Sequence, residues 1–175
     1  MKKFEDNTLI EVWNNLGWGV SYVTDKATRT WQLTGSMKKI PFGELIEALS
    51  FRGNRRLFEE GALLIKDNEV RIQLDLPELN EYILDLEQIK DLLKTGDMAK
   101  IEDFLQYCSN MALGTFVQVA IELPVRDLEL ARLISSYANV DLLSAIQEKI
   151  EIGEETNKMA SPDKDKPRPK RIIKE

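Results

Sequence analysis

Between residues 8 and 42 the apolar positions recur every second residue. Thr8–Val12 is apolar and β-branched, and Trp18, Val20 and Tyr22 alternate with Gly19 and Ser21. Arg29, Trp31 and Leu33 alternate with Thr30, Gln32 and Thr34, and Met37–Phe42 follows, with Pro41 near its end. Period two is the mark of strands. Asn14–Gly17, Asp25–Thr28 and Gly35-Ser36 separate the runs, where Asn and Gly tolerate turn conformations. The pattern predicts an antiparallel meander or small barrel-like sheet of about four strands, too small to stand alone.

From Phe42 the period lengthens. Leu45, Ile46 and Leu49 share a helical face over 42–50. Gly53-Asn54 reads as an interruption, Arg55–Glu60 as a short helix ended by Gly61, and Ala62–Ile65 as a strand or buried connection. Asp67 caps a helix or opens a turn; over 69–74, Val70, Ile72 and Leu74 also alternate, so both readings stand. Beyond Pro77 the chain reads as helical. Asp85, Asp97, Ser109, Asp127 and Asn139 or Asp141 are N-cap residues ahead of apolar stripes. Those stripes include Leu86, Ile89, Leu92 and Leu93; Met98, Ile101, Phe104 and Leu105; Leu128, Leu130, Ala131, Leu133 and Ile134; and Leu142, Leu143, Ile146 and Ile150. Gly96 and Pro124 are stops. Helix 109–123 has almost no polar face and is the predicted centre of the bundle.

The fold class expected is therefore α+β: a small N-terminal antiparallel sheet, then a C-terminal bundle of about five short helices. The division expected is 1–76, a β-rich unit with helix 42–50; 77–152, the bundle; and 153–175, a flexible basic C-terminal arm, since apolar residues thin out and Pro162, Pro167 and Pro169 appear.

Composition narrows the chemistry. The 175 residues include no His and one Cys, Cys108. That removes Ser-His-Asp and Cys-His catalysis, His-ligated metals, and any disulfide or Cys-rich metal cage within one chain. The chain is read as non-enzymatic and without a cofactor. No apolar run approaches the length that spans a bilayer, and the start carries no apolar signal region, so neither membrane nor export is expected. A lone thiol fits a reducing cytosol.

Charge is segregated. Of 24 basic and 30 acidic residues, 162–175 hold six basic (Lys164, Lys166, Arg168, Lys170, Arg171, Lys174) and three acidic ones. The arm is +3, and the remaining 18 basic and 27 acidic residues make the body −9. An acidic body argues against a broad phosphate-binding surface. The arm can lie along a phosphate backbone or an acidic protein groove, or serve only as a solubilising terminus.

Several stretches resemble an uncharacterised family of small tailed-bacteriophage proteins. They are Ile10–Asn15 with Val20-Ser21-Tyr22; Lys39–Leu45, Arg55–Phe58 and Leu63–Asp67; and Ala120–Asp127 leading into the last two helices. The basic, proline-containing C-terminus fits as well. The resemblance covers most of 8–150. It implies a phage protein made in the bacterial host cytoplasm and packed into the virion or used in its assembly. It brings no activity and no catalytic residues.

Each candidate site has a plainer reading beside it. Trp13, Trp18, Trp31 and Tyr22 form a stacking platform for single-stranded nucleic acid or, more simply, core. Gly17-Trp18-Gly19 lacks a third Gly and a Walker lysine and is a turn entering a strand. Arg52, Arg55 and Arg56 around a Gly-Asn turn would clamp an anionic partner, unless Glu59 and Glu60 at i+4 take up Arg55 and Arg56. Asp75, Glu78, Glu81, Asp85 and Glu87 lack EF-hand spacing and read as a solvated acidic surface. Cys108 is buried filler. The helices at 127–137 and 141–151 offer base edges almost no Arg or Asn and are not a DNA-reading pair. The partner-binding residues expected are thus Arg52, Arg55, Arg56, Lys164, Lys166, Arg168, Lys170, Arg171 and Lys174. Other phage proteins are the expected partners. Nucleic acid or host machinery is the alternative, and self-association stays open.

Overall fold

The computed structural model describes residues 3–160, with side chains to residue 152. Five strands and eight helices lie among them: β1 (Leu9–Asn14), β2 (Val20–Val23), β3 (Thr28–Trp31), β4 (Met37–Pro41), α1 (Phe42–Ser50), α2 (Arg52–Glu59), β5 (Leu63–Leu64), α3 (Asn68–Gln73), α4 (Leu86–Thr95), α5 (Met98–Tyr107), α6 (Asn110–Glu122), α7 (Leu128–Ala138) and α8 (Leu142–Ala160). The class is α+β, with five of the eight helices after Pro77.

The four strands read from the sequence do not form one meander. β1 is central in a β4-β1-β5 sheet, and β2-β3 is a separate hairpin. Asn14 explains the departure. Its side-chain amide nitrogen donates to the Trp18 and Leu33 carbonyls (2.8 and 3.1 Å), and its side-chain Oδ1 accepts from the Leu16 N–H (2.9 Å). The chain therefore leaves the sheet after β1 and rejoins it at Ser36, where the Asn14 N–H meets the Ser36 carbonyl (2.9 Å). The excursion carries Trp31 beneath β1, where its indole N–H donates to the Val12 carbonyl (3.0 Å).

Period two places Ile10, Val12 and Asn14 inward and Leu9 and Glu11 outward. The first core gathers Ile10, Val12, Tyr22 and Trp31 with Phe42, Leu45, Ala48 and Leu49 of α1, Phe58 of α2 and Val70 of α3. Ile46, expected inward, is half exposed, because the face that meets the sheet runs through Leu45, Ala48 and Leu49.

Gly53-Asn54 does not interrupt a helix. The break falls at Phe51 (φ −87°, ψ 118°), and both residues lie in the first turn of α2. Asn54 makes this work, since its amide donates to the Ala48 carbonyl near the end of α1 and to Val23 of the hairpin (3.1 and 2.7 Å). Asp67 settles the next segment as helix: its carboxylate accepts from the Glu69 and Val70 N–H groups (2.9 and 3.3 Å).

In the helical part every cap is an acid or a hydroxyl. Asp85, Asp97, Ser109, Asp127 and Asp141 accept N–H groups of the following first turns. Asp85 and Gln88 complete a capping box. Gly96 ends α4 in the left-handed region (φ 62°). α6 packs against α4, α7 and α8, and Phe116 meets Phe104 with ring centroids 5.3 Å apart. α8 runs past Gly153 to Ala160, into the segment expected to be a flexible arm. Glu, Lys and Met favour helix, and no proline intervenes before Pro162. Met98, Leu128, Leu143 and Ile150, expected inward, are exposed.

The two cores meet along a seam. Asn15 is buried, and its amide donates to the Gly61 and Leu84 carbonyls (3.2 and 2.8 Å). The Ser109 hydroxyl donates to Glu60 (3.0 Å), and Lys66 pairs with Asp85 (2.6 Å). Gly61 sits at φ 76°, and a Cβ there would meet Ile83 at 2.9 Å. Glycine is required there on both counts.

Candidate interaction sites

The arginines of α2 turn inward on their own carboxylates. Arg55 Nε donates to Glu59 (2.8 Å), and its Nη2 meets both the Asp75 carboxylate (3.0 Å) and the Asp75 carbonyl. Arg56 pairs with Glu60. Asp75 holds φ 54°, a left-handed turn that the Arg55 fork grips from outside. Two of the three expected cations are thus neutralised within the chain. Arg52 is exposed and has no ion pair among the described residues. Lys164, Lys166, Arg168, Lys170, Arg171 and Lys174 lie outside the described residues.

The aromatic set divides. Trp31 and Tyr22 are fully buried and meet in a tilted contact with ring centroids 5.7 Å apart, which makes them core. Trp18 is exposed on one side, while its ring lies against Gly114 of α6, where a Cβ would come within 3.0 Å. Trp13 points outward beneath the Lys66 ammonium, 5.1 Å from the ring centroid. No continuous stacking face results.

Polar chemistry concentrates around Glu44 of α1. Arg29 grips its carboxylate with Nε and Nη2 (2.8 and 2.6 Å), and the Tyr22 hydroxyl donates to it (2.7 Å). The Arg29 guanidinium holds the Glu44 carboxyl below the usual carboxylate range. Burial, with Glu44 beside it, pushes the Tyr22 phenol up. This cluster clamps the hairpin to α1. Arg71 is a second buried polar group: its Nε donates to the Pro77 carbonyl (2.6 Å), and burial lowers its pKa. Its Nη1 has no hydrogen-bond partner among the described residues. Cys108 is half-buried, and burial pushes its thiol up to about 11. Among the described residues no three His, Cys, Asp or Glu side chains are placed to hold a metal ion, and no helix is long and apolar enough to cross a membrane.

One feature was invisible in the linear pattern, the open edge of the central strand. β1 pairs with β4 along Leu9–Trp13, and Asn14 bonds both Ser36 and Gly35. The even residues therefore address β4, because antiparallel pairing alternates. The odd residues address the other edge, and β5 covers it only at Trp13 and Asn14, with Asn15 bonding Ala62. Beyond, the chain turns away at Lys66 into α3. The N–H and C=O groups of Leu9 and Glu11 face that gap. Beside them lies a groove of about 380 Å³, lined by Phe4, Leu9, Glu11, Ile65, Asp67 and Val70 among others. The outer edge of β4 differs, carrying exposed Lys39 and, at Pro41, no N–H. Those are the usual guards against unwanted pairing.

No protein-family model matches the chain, and no curated protein and no solved structure matches it either.

Proposed function

We propose that this chain is a non-enzymatic interaction protein of a tailed bacteriophage, carried in the virion or used in its assembly, and acting through protein contacts and its basic C-terminal arm. The observation that carries this reading is the charge segregation: a −9 body against a +3 arm. Arg55 and Arg56 are engaged by Glu59, Asp75 and Glu60, which leaves the six basic residues of 162–175 as the larger basic group in the sequence. A short basic segment on an acidic body is suited to ordered capture by an acidic protein surface. The resemblance of residues 8–150 to small phage proteins supports the setting, which is a bacterial host cytoplasm.

Mass spectrometry of purified virions is the direct test. Recovery in fixed copy per particle supports the reading, and absence from both virions and assembly intermediates overturns it. The same arm supports a second reading, a nucleic-acid-associated regulator. Salt-dependent retention on DNA or RNA that disappears on deleting 162–175 would favour that alternative.

A further inference from the structure

We propose that the outward face of the β1-β4 strand pair is a self-association surface, on which a second copy of the chain stacks face to face about a two-fold axis running along the strands. The inference goes beyond the phage reading and does not depend on it.

Six side chains make up this face. The register pairs Leu9 with Pro41, Glu11 with Lys39 and Trp13 with Met37, and alternation turns all six away from α1. An antiparallel sheet that keeps one face in water normally carries polar residues there. Here four of the six are apolar: Leu9, Trp13, Met37 and Pro41. Leu9 is 58% exposed and Met37 36%, while Trp13 and Pro41 are half-buried. Apolar residues gathered on one open face, in contrast to scattered ones, mark a contact surface. Lys66 overhangs one end of it, its ammonium 5.1 Å from the Trp13 ring centroid. Asp85 pairs with Lys66 at 2.6 Å, so this cation brings no uncompensated charge to the face.

The pattern is complementary to itself. Rotation about an axis in the interface, parallel to the strands and midway between them, sets each β1 over β4 of the second copy. Leu9 then faces Pro41 of the second copy, Trp13 faces Met37, and Glu11 faces Lys39. Stacked sheets lie about 10 Å apart, a gap that Glu and Lys side chains span together. The other in-plane axis, across the strands, lays each β1 on its own counterpart. It brings Glu11 against Glu11 and Lys39 against Lys39, and that like-charge arrangement excludes it. Within one copy Glu11 and Lys39 are loosely paired at 3.8 Å, and both side chains are more than half exposed, so each can take a second partner. The apolar positions drive the contact, with the Met37 thioether on the Trp13 indole a favourable pairing. The charges set its direction more than its strength.

The test uses the full chain. Sedimentation equilibrium of the wild type should show monomer and dimer exchanging with a dissociation constant on the order of 10–100 µM, since six residues a side fall well short of the roughly 20–30 of a standard interface. Lys39→Glu alone and Glu11→Lys alone each make positions 11 and 39 alike in charge, and each should weaken the dimer at least about tenfold. Mixed in equal amounts, the two variants should pair with each other about as strongly as wild type, because every position 11 then faces the opposite charge at position 39. Leu9→Ser with Met37→Ser keeps the charges and should also weaken the dimer at least about tenfold. A wild-type chain still monomeric at about 1 mM, roughly ten times the upper expected constant, overturns the proposal and leaves the face to a different partner. A dimer that none of these substitutions weakens, or a variant mixture that stays monomeric, overturns it as well. Absence from virions would sink the phage reading while leaving these results intact.

Discussion

The two cores are held by different means. In the first, polar side chains tie together residues far apart in sequence: Asn15 reaches Leu84, Trp31 reaches Val12, and Arg29 with Tyr22 reaches Glu44. In the helical part, away from the seam, most polar bonds are short-range, the Tyr82 hydroxyl to Asp103 being an exception. Asp85, Asp97, Asp127 and Asp141 cap their own helices, and what joins the helices is apolar contact around Phe104, Phe116 and Ile134. Helices satisfy their backbone internally and need only caps and an apolar seam. Short strands with long excursions leave turns whose carbonyls must find donors elsewhere, and buried Asn side chains provide them.

The contrast can be broken from either side. The largest effect is expected at Phe116→Asp. Phe116 is fully buried against Phe104, and an uncompensated charge there should cost more than about 4 kcal/mol. Thermal melting, with hydrogen exchange resolved by region, should show α4–α7 losing protection. A variant melting within a few degrees of wild type would refute the placement of α6 at the centre. Asn15→Ala comes next. It strips donors from the Gly61 and Leu84 carbonyls, at a cost of about 2–3 kcal/mol. Because those carbonyls belong to opposite sides of the seam, urea melts should show both regions weakened. Weakening confined to the sheet would mean the seam is held elsewhere.

The smallest effect is expected at Glu44. Its carboxyl is held below the ordinary value by Arg29, so its contribution is present above the unfolded carboxylate pKa and is lost as pH falls through the lowered folded one. Glu44→Gln should be less stable at neutral pH by about 1 kcal/mol and lose less than wild type on acidification. Tyr22 carries the opposite sign. Its raised pKa gives stability that is full below the ordinary phenol value and fades as pH rises beyond it. Stability against pH, measured for both proteins, checks the acid limb; parallel curves would show that Glu44 contributes nothing to it.

The helical part was legible because its signals are local. An Asp or Ser ahead of a 3.6-residue stripe named the cap at Asp85, Asp97, Ser109 and Asp127; of the two residues offered for the last helix, Asp141 caps it and Asn139 instead ends α7 in the left-handed region. The strands were legible too, but not their partners. Nothing between Asn14 and Ser36 announces that the chain will return to β1, since the device is a side-chain amide reaching the Leu33 carbonyl across nineteen residues. Gly53-Asn54 misled for the same reason: Asn54 looks like a turn residue and acts as a brace between α1 and the hairpin. Of the candidate site, the pairing of Arg55 and Arg56 with residues four places on was readable from spacing. The grip of Arg55 on Asp75 was not, and neither was the open edge of β1, which exists only because β5 is two residues long.

That strand order carries a consequence for how the chain reaches its fold. Trp13 pairs with Met37 and Asn14 with Leu63, so closing the central sheet means bringing together residues 24 and 49 positions apart. Each closure costs loop entropy before any ladder bond repays it. The capped helices, whose backbone hydrogen bonds and caps are local, form without such closures, although their packing (α4 on α6, α5 on α7, α6 on α8) skips a helix each time. In a stopped-flow refolding trace the helical signal should therefore lead, with the burial of Trp31 beneath β1 arriving as the later event.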